Sequence, residues 1–181
     1  MSVAPFRLGR SVVPDSAAMH RFGRDLATAL GAGDLVVLTG PLGAGKTTLT
    51  RGLGEGLGVR GPVTSPTFVL ARTHPSLVGG PPLVHVDAYR LQSAVELDDL
   101  DIDFPRSVVV VEWGRGMLDG ITESWLDVEI ERPRGGRLMA TTDAAASVTG
   151  HDADDDDLDD DDLDEPRTVT ITAHGPRWTS L

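Results

Sequence analysis

A glycine-rich loop between an apolar run and a predicted helix constrains this chain more than any other feature. The loop Gly40-Pro-Leu-Gly-Ala-Gly-Lys-Thr47 fits the pattern G-x-x-x-x-G-K-[ST] and follows the run Leu-Val-Val-Leu at 35–38. A short, fully apolar run is typical of a buried parallel strand. The segment from about Lys46 to Leu57 is predicted to be helical. A strand, a glycine loop and a helix in this order predict an α/β fold with a phosphate-binding turn.

The loop contains the only lysine of the chain, since the fifteen other basic side chains are arginines. Glycines let successive backbone N–H groups turn inward around phosphate oxygens, and the helix that follows adds its positive N-terminus. The compact ammonium of Lys46 can reach the β- and γ-phosphates of ATP, whereas a planar guanidinium is too large for that place. The Thr47 hydroxyl is then predicted to contact Mg²⁺. An ordinary glycine-rich turn with an incidental lysine is the alternative, which the flanking elements disfavour.

Two later apolar runs end in an acid, Leu-Val-His-Val before Asp87 and Val-Val-Val-Val before Glu112. Ligands of open α/β sheets bind outside the carboxyl ends of the parallel strands, so both acids are expected near the phosphates. One could hold Mg²⁺, directly or through water, while the other orients the attacking water, and position alone does not say which. Thr64 precedes another predicted strand, at 67–71, where nucleotide switches carry hydroxyls that sense Mg²⁺ and the γ-phosphate, although its Ser-Pro-Thr context is also an ordinary turn.

The remaining patterns predict the rest of the sheet and its helices. Asp15 precedes apolar residues at four-residue spacing that continue to Leu30, which indicates a capped amphipathic helix. The spacing of Ser93 and Glu96 is that of a capping box. Apolar and polar residues alternate at 126–130 and again at 169–173, as in strands with one wet face. The predicted fold class is an α/β P-loop NTPase with a mostly parallel sheet, flanking helices and antiparallel edge strands near the C-terminus.

The formal net charge of −12 is concentrated in one segment of the chain. Eleven acids and no base lie between His151 and Pro166, and without them the net charge is −1. We predict that residues 1–132 form the P-loop core and that residues 133–166 are a low-complexity acidic insertion. The insertion is expected to be disordered, because it has too few apolar groups to offset the entropy of ordering. Residues 167–181 are then the closing strand and tail of the same domain.

Composition excludes several classes of protein. The absence of cysteine excludes disulfides and thiolate metal sites. No run approaches the length of a membrane span and no secretory signal is evident, so we expect a cytoplasmic protein without membrane contact. Neither the near-neutral core nor the acidic segment has the basic surface of a stand-alone nucleic-acid binder. A calcium-binding EF-hand starting at Asp152 fails, since Asp157 stands where glycine is needed and Leu163 where the bidentate glutamate belongs.

The series GPLGAGKTT, TSPTF, HVDAYR and VVVVEW, in this order, resembles the TsaE family, also called YjeE. The glycine loop is shared by many NTPases, whereas the other three strings together are specific to this family. The resemblance implies a small P-loop ATPase required for threonylcarbamoyladenosine in tRNA. It further implies action with TsaB and with the transferase TsaD, so that tRNA is met indirectly through the complex and ATP and Mg²⁺ are the ligands.

The same resemblance assigns roles to individual residues. Thr47 and Glu112 match Mg²⁺ ligands, and Thr64 and Asp87 match positions tied to hydrolysis. Ser16 falls where the family has a nucleotide contact. The phosphate cradle corresponds to Gly43, Ala44, Gly45, Lys46, Thr47 and Thr48.

Two other functions could use the same loop. A small-molecule kinase usually needs a lid with several arginines and an acceptor pocket, whereas here the arginines are scattered and the region after Trp113 is short. A nucleotide-gated binding module without significant hydrolysis needs no catalytic carboxylate. Acids at the ends of two predicted strands favour hydrolysis over this second alternative.

Overall fold

The computed structural model describes residues 7–66, 69–118, 120–132 and 165–179. Strands of these residues form one seven-stranded sheet in the spatial order β1-β7-β6-β2-β5-β4-β3. The strands are β1 (Gly9–Val13), β2 (Leu35–Thr39), β3 (Ala71–His74), β4 (Leu83–Asp87), β5 (Val108–Glu112), β6 (Trp125–Glu131) and β7 (Arg167–His174). The helices are α1 (Ser16–Ala27), α2 (Lys46–Gly56) and α3 (Ala94–Asp98), with short 3-10 turns at Ala88–Arg90, Phe104–Arg106 and Pro176–Trp178.

The centre of the sheet is parallel and its flanks are antiparallel. Strand β2 pairs in parallel with both β5 and β6, and β5 pairs in parallel with β4. Strand β7 runs antiparallel to β6, and β1 and β3 close the two edges in antiparallel pairings. The predicted α/β fold class is confirmed, and so is the pairing of the two alternating segments near the C-terminus. The edge beyond β7 is an N-terminal strand that the sequence did not predict.

The prediction of a strand at 67–71 is wrong for Val69 and Leu70. Thr67 and Phe68 lie outside the described residues. The amides of Val69 and Leu70 both donate to the Pro66 carbonyl at 2.9 Å, and Leu70 has a φ of 63°. This turn prevents an extended backbone, so β3 begins only at Ala71.

Helix α1 is shorter than predicted. It begins after Asp15, whose Oδ1 accepts a hydrogen bond from the Ala18 amide at 2.6 Å, and it ends at Ala27. Leu30 lies beyond the helix but still packs against the core. The short helix predicted from the Ser93–Glu96 spacing is α3, and the Ser93 hydroxyl caps it by accepting from the Glu96 amide at 3.4 Å. The Glu96 carboxylate accepts from the Gln92 amide at 3.1 Å rather than from Ser93, so the box is not reciprocal.

The backbones of α1 and α2 touch at two glycines. A Cβ on Gly23 would lie 2.1 Å from the carbonyl oxygen of Leu49, and a Cβ on Gly52 would lie 1.9 Å from that of His20. Because no side chain separates the helices at these points, α1 lies directly beside the helix that follows the glycine loop. Met19 of α1 consequently packs close to the loop, 3.5 Å from the place of a Cβ on Gly45.

Two hydrophobic clusters cover the two faces of the sheet. One lies beneath α1 and α2 and includes Leu38, Leu49 and Val110; the other lies on the opposite face and includes Val37 and Leu97. The apolar strands β2 and β5 contribute to both clusters, as expected for central parallel strands. No helix in the described ranges is long and apolar enough to cross a membrane. The division into a core and an acidic insertion stays a prediction, since residues 133–164 lie outside the described ones.

Candidate nucleotide-binding site

The glycine loop joins the carboxyl end of β2 to the first turn of α2. Gly43 and Gly45 adopt left-handed φ values of 71° and 101°, a conformation that residues with a Cβ rarely take. Gly45 is the N-cap of α2, and no side chain caps this end of the helix. The amides of Gly43, Gly45 and residues 46–48 donate to no other group of the described chain. These free N–H groups at a positive helix end form a cradle for an anion.

Lys46 lies inside this cradle and is 6% exposed. Its Nζ donates to the carbonyl oxygens of Gly40 at 3.0 Å and Pro41 at 3.1 Å, and it lies 4.0 Å from the centroid of the Trp113 ring. Burial lowers the pKa of Lys46, while the charges of Glu112 and Asp87 act in the opposite direction. The ammonium is therefore held by the loop and faces two carboxylates.

The register of β4 and β5 places the two predicted acids side by side. Asp87 is the direct neighbour of Glu112 in this parallel pair, and the residues are 8% and 4% exposed. The Oε1 atom of Glu112 lies 3.5 Å from the Thr47 hydroxyl, and Asp87 Oδ1 accepts from the Tyr89 amide at 3.0 Å. The structure thus brings both acids, Lys46 and Thr47 together at the carboxyl edge of the parallel strands.

The two other predicted site residues outside the loop are Thr64 and Ser16. The Thr64 hydroxyl accepts a hydrogen bond from the Arg72 guanidinium of β3. Ser16 is the first residue of α1, one turn before Met19. Within the described part of the chain, neither Ser16 nor Thr64 makes a hydrogen bond to the loop.

The structure adds two residues to the site that sequence reasoning did not place there. His85 is fully buried, and its Nε2 lies 2.8 Å from Glu112 Oε1. The signal was its spacing, since residues two apart in a strand share a face and His85 therefore lies on the face of Asp87. Trp113 has a φ of 63° and makes an edge contact with Tyr89 at 5.8 Å. Nothing in the sequence indicated that its ring lies against Lys46.

No group of three metal-ligating side chains occurs among the described residues. This is compatible with magnesium in a nucleotide site, because Mg²⁺ usually takes one or two protein ligands and the phosphates of its nucleotide.

The arrangement can be compared with known proteins. A model of the family described as "Threonylcarbamoyl adenosine biosynthesis protein TsaE" matches residues 13–139. This chain belongs to the TsaE family. A relative from Streptomyces coelicolor, named "tRNA threonylcarbamoyladenosine biosynthesis protein TsaE", is 53% identical over 165 residues, which cover 90% of this chain and 95% of the relative. A relative of the same name from Mycobacterium bovis is 50% identical over 133 residues, which cover 68% and 79% of the two chains.

The TsaE fold is also seen in a solved structure. The crystal structure of Bacillus subtilis YdiB matches with a TM-score of 0.61 and 26% identity, and the match covers 94% of this chain and 88% of that one. The fold of this TsaE chain is a P-loop fold, which implies nucleotide binding in general. All the residues assigned to the site, from Ser16 to Glu112, lie within the span of the TsaE match.

Proposed function

We propose that this TsaE chain binds and hydrolyses Mg·ATP and is required for threonylcarbamoyladenosine formation in tRNA. The proposal of ATP hydrolysis rests on one observation. Four side chains lie together beside a loop of free amides, namely Lys46, Thr47, Asp87 and Glu112. The names of the relatives support the tRNA part.

The cradle fits the phosphates of a nucleotide. The N–H groups of Gly43, Gly45 and residues 46–48 are donors without acceptors in the described chain, and phosphate oxygens would satisfy them. Ala44, which is 0% exposed, anchors the middle of the loop against the core. Lys46 would exchange the carbonyls that it now contacts for β- and γ-phosphate oxygens, which carry full negative charge.

The oxygens of Thr47 and Glu112 fit a magnesium ion. One hydroxyl and one carboxylate 3.5 Å apart are ligands of the kind that Mg²⁺ prefers, with phosphate and water completing its shell. When bound, the ion neutralises charge that develops on the β- and γ-phosphates. Because Glu112 rather than Asp87 faces Thr47, we assign the metal to Glu112 and the orientation of the attacking water to Asp87.

Two further roles rest on the family resemblance. Thr64 would sense the γ-phosphate, and for this its hydroxyl would have to exchange Arg72 for a new partner. Ser16 would contact the nucleotide from the N-terminus of α1, which lies beside the loop through Met19 and Gly45.

We further propose that the ATPase cycle serves an assembly with TsaB and TsaD proteins, through which tRNA is met indirectly. The net charge of −1 outside the acidic segment supports this, because such a surface offers little attraction for RNA. A partner would have to supply the contacts that hold tRNA.

The test is Mg·ATP hydrolysis by the purified chain, alone and with the matching TsaB–TsaD pair. We expect slow turnover alone that rises with the pair. Asp87→Asn should keep ATP affinity and lose turnover, because the neutral amide has one acceptor oxygen instead of two and no charge with which to orient the attacking water. Full turnover in that variant would remove Asp87 from the chemistry. Turnover indifferent to the pair would contradict the proposed partners, and ATP binding without any turnover would favour the binding-module alternative.

A further inference from the structure

A buried histidine lies behind the acid that we assign to magnesium. His85 of β4 is 0% exposed and pairs with Val110, so it lies diagonally behind Glu112 on the same face of the sheet. Its Nε2 is 2.8 Å from Glu112 Oε1, the shortest contact of that carboxylate. A buried carboxylate needs such donors, because burial removes the water that would otherwise solvate its charge.

The surroundings of the imidazole determine which nitrogen carries the proton. The Nδ1 atom of His85 is buried and has no hydrogen-bond partner in the described chain. A proton on Nδ1 would be an unpaired buried donor, and it would leave the Nε2 lone pair facing a carboxylate oxygen. A proton on Nε2 instead donates to Glu112 Oε1. Of the two tautomers, the one with the proton on Nε2 is therefore favoured.

This hydrogen bond gives the two carboxylate oxygens of Glu112 different surroundings. Oε1 receives His85 and lies near Thr47, whereas no donor of the described chain contacts Oε2. A glutamate side chain is otherwise free to rotate about three bonds, and fixing it in one rotamer costs conformational entropy. On the basis of the proposed function, we propose that His85 is a positioning residue, which fixes Glu112 through Oε1 and thereby presents the carboxylate to magnesium.

The chain offers a matched control for this inference. His74 of β3 lies on the same face of the sheet, since it pairs with Leu83, and it is 5% exposed. Its Nδ1 contacts the Arg60 carbonyl at 3.2 Å rather than a carboxylate of the site. Its replacement measures the effect of removing a buried imidazole from this face without touching Glu112.

The experiment measures the affinity for a non-hydrolysable ATP analogue by calorimetry, with magnesium chelated and then over a series of Mg²⁺ concentrations. The variants are His85→Leu, which removes the donor, His85→Gln, whose amide nitrogen takes the place of Nε2, and His74→Leu. Loss of an outer-shell partner typically costs about 10- to 100-fold in metal affinity. We expect His85→Leu to raise the half-saturating Mg²⁺ concentration by about that factor. Its affinity without magnesium should stay near that of the wild type, His85→Gln should restore most of the loss, and His74→Leu should leave the requirement unchanged.

Several outcomes would overturn the inference. A folded His85→Leu variant with the wild-type magnesium requirement would do so, and so would an equal shift in His74→Leu. If His85→Leu does not fold, His85→Asn replaces it, because its shorter side chain brings the amide only to the level of Nδ1. Wild-type behaviour in both the Asn and Gln variants would then refute the role of His85. Failure of the wild type to bind the analogue at any Mg²⁺ concentration would instead refute the proposed function.

Discussion

For the substitution of Gly52 by alanine, helix propensity and tertiary packing predict changes of opposite sign in the free energy of unfolding. In the interior of a helix, alanine is more favourable than glycine by about 1 kcal/mol, so helix propensity alone predicts that α2 is stabilised. In the folded chain the new Cβ would lie 1.9 Å from the His20 carbonyl oxygen, and real Cβ contacts are essentially never below 3.0 Å. The helices would have to separate by about 1 Å, because the obstacle is backbone rather than a movable side chain. Overpacking of this kind costs about 1–3 kcal/mol, with a rigid backbone contact at the upper end.

The net expectation is a loss of about 2 kcal/mol in the free energy of unfolding, which for a chain of this size lowers Tm by roughly 4–8 °C. Thermal and urea unfolding followed by circular dichroism would measure it. Gly31→Ala is the control, since a Cβ there meets nothing within 4 Å, and its effect should stay within about 0.5 kcal/mol. A Gly52→Ala protein that is more stable than the wild type would refute the close approach of α1 and α2.

Three further predictions concern the site, the acidic segment and pH. Lys46→Ala should abolish nucleotide binding in calorimetry, because the cradle loses the buried ammonium proposed to contact the β- and γ-phosphates; unchanged ATP affinity would refute the assignment. Replacement of 133–164 by a short Gly/Ser loop should leave ATP hydrolysis intact, since Glu131 and Thr168 are already paired neighbours; a large loss of activity would contradict this. Burial lowers the pKa of His74 below its ordinary 6.5. As the pH drops below about 6.5, the unfolded chain therefore binds a proton that the folded chain does not, and the free energy of unfolding should fall. His74→Leu should flatten this pH dependence in urea unfolding, and an unaltered slope would argue against it.

The strongest sequence predictions were those in which one short segment carries both the pattern and its chemistry. The glycine loop and the helix caps at Asp15 and Ser93 depend on residues within a few positions of each other, and each is found where predicted. The edge strand β1 is different. Its residues carry a weak apolar pattern, and they become a strand because they pair with β7, more than 150 residues later in the chain.

The sequence by itself predicted a P-loop fold, which is confirmed, and predicted that four side chains lie at one edge of its sheet: Lys46, Thr47, Asp87 and Glu112. It could do so because strand ends and glycine turns are local properties, and parallel strands bring their carboxyl ends to one edge. Only the tertiary structure decided what surrounds those residues: His85 behind Glu112, the Trp113 ring against Lys46, and the backbone contact of α1 with α2. These contacts join segments far apart in the chain. Their geometry follows from sheet register and helix packing, which no single segment encodes.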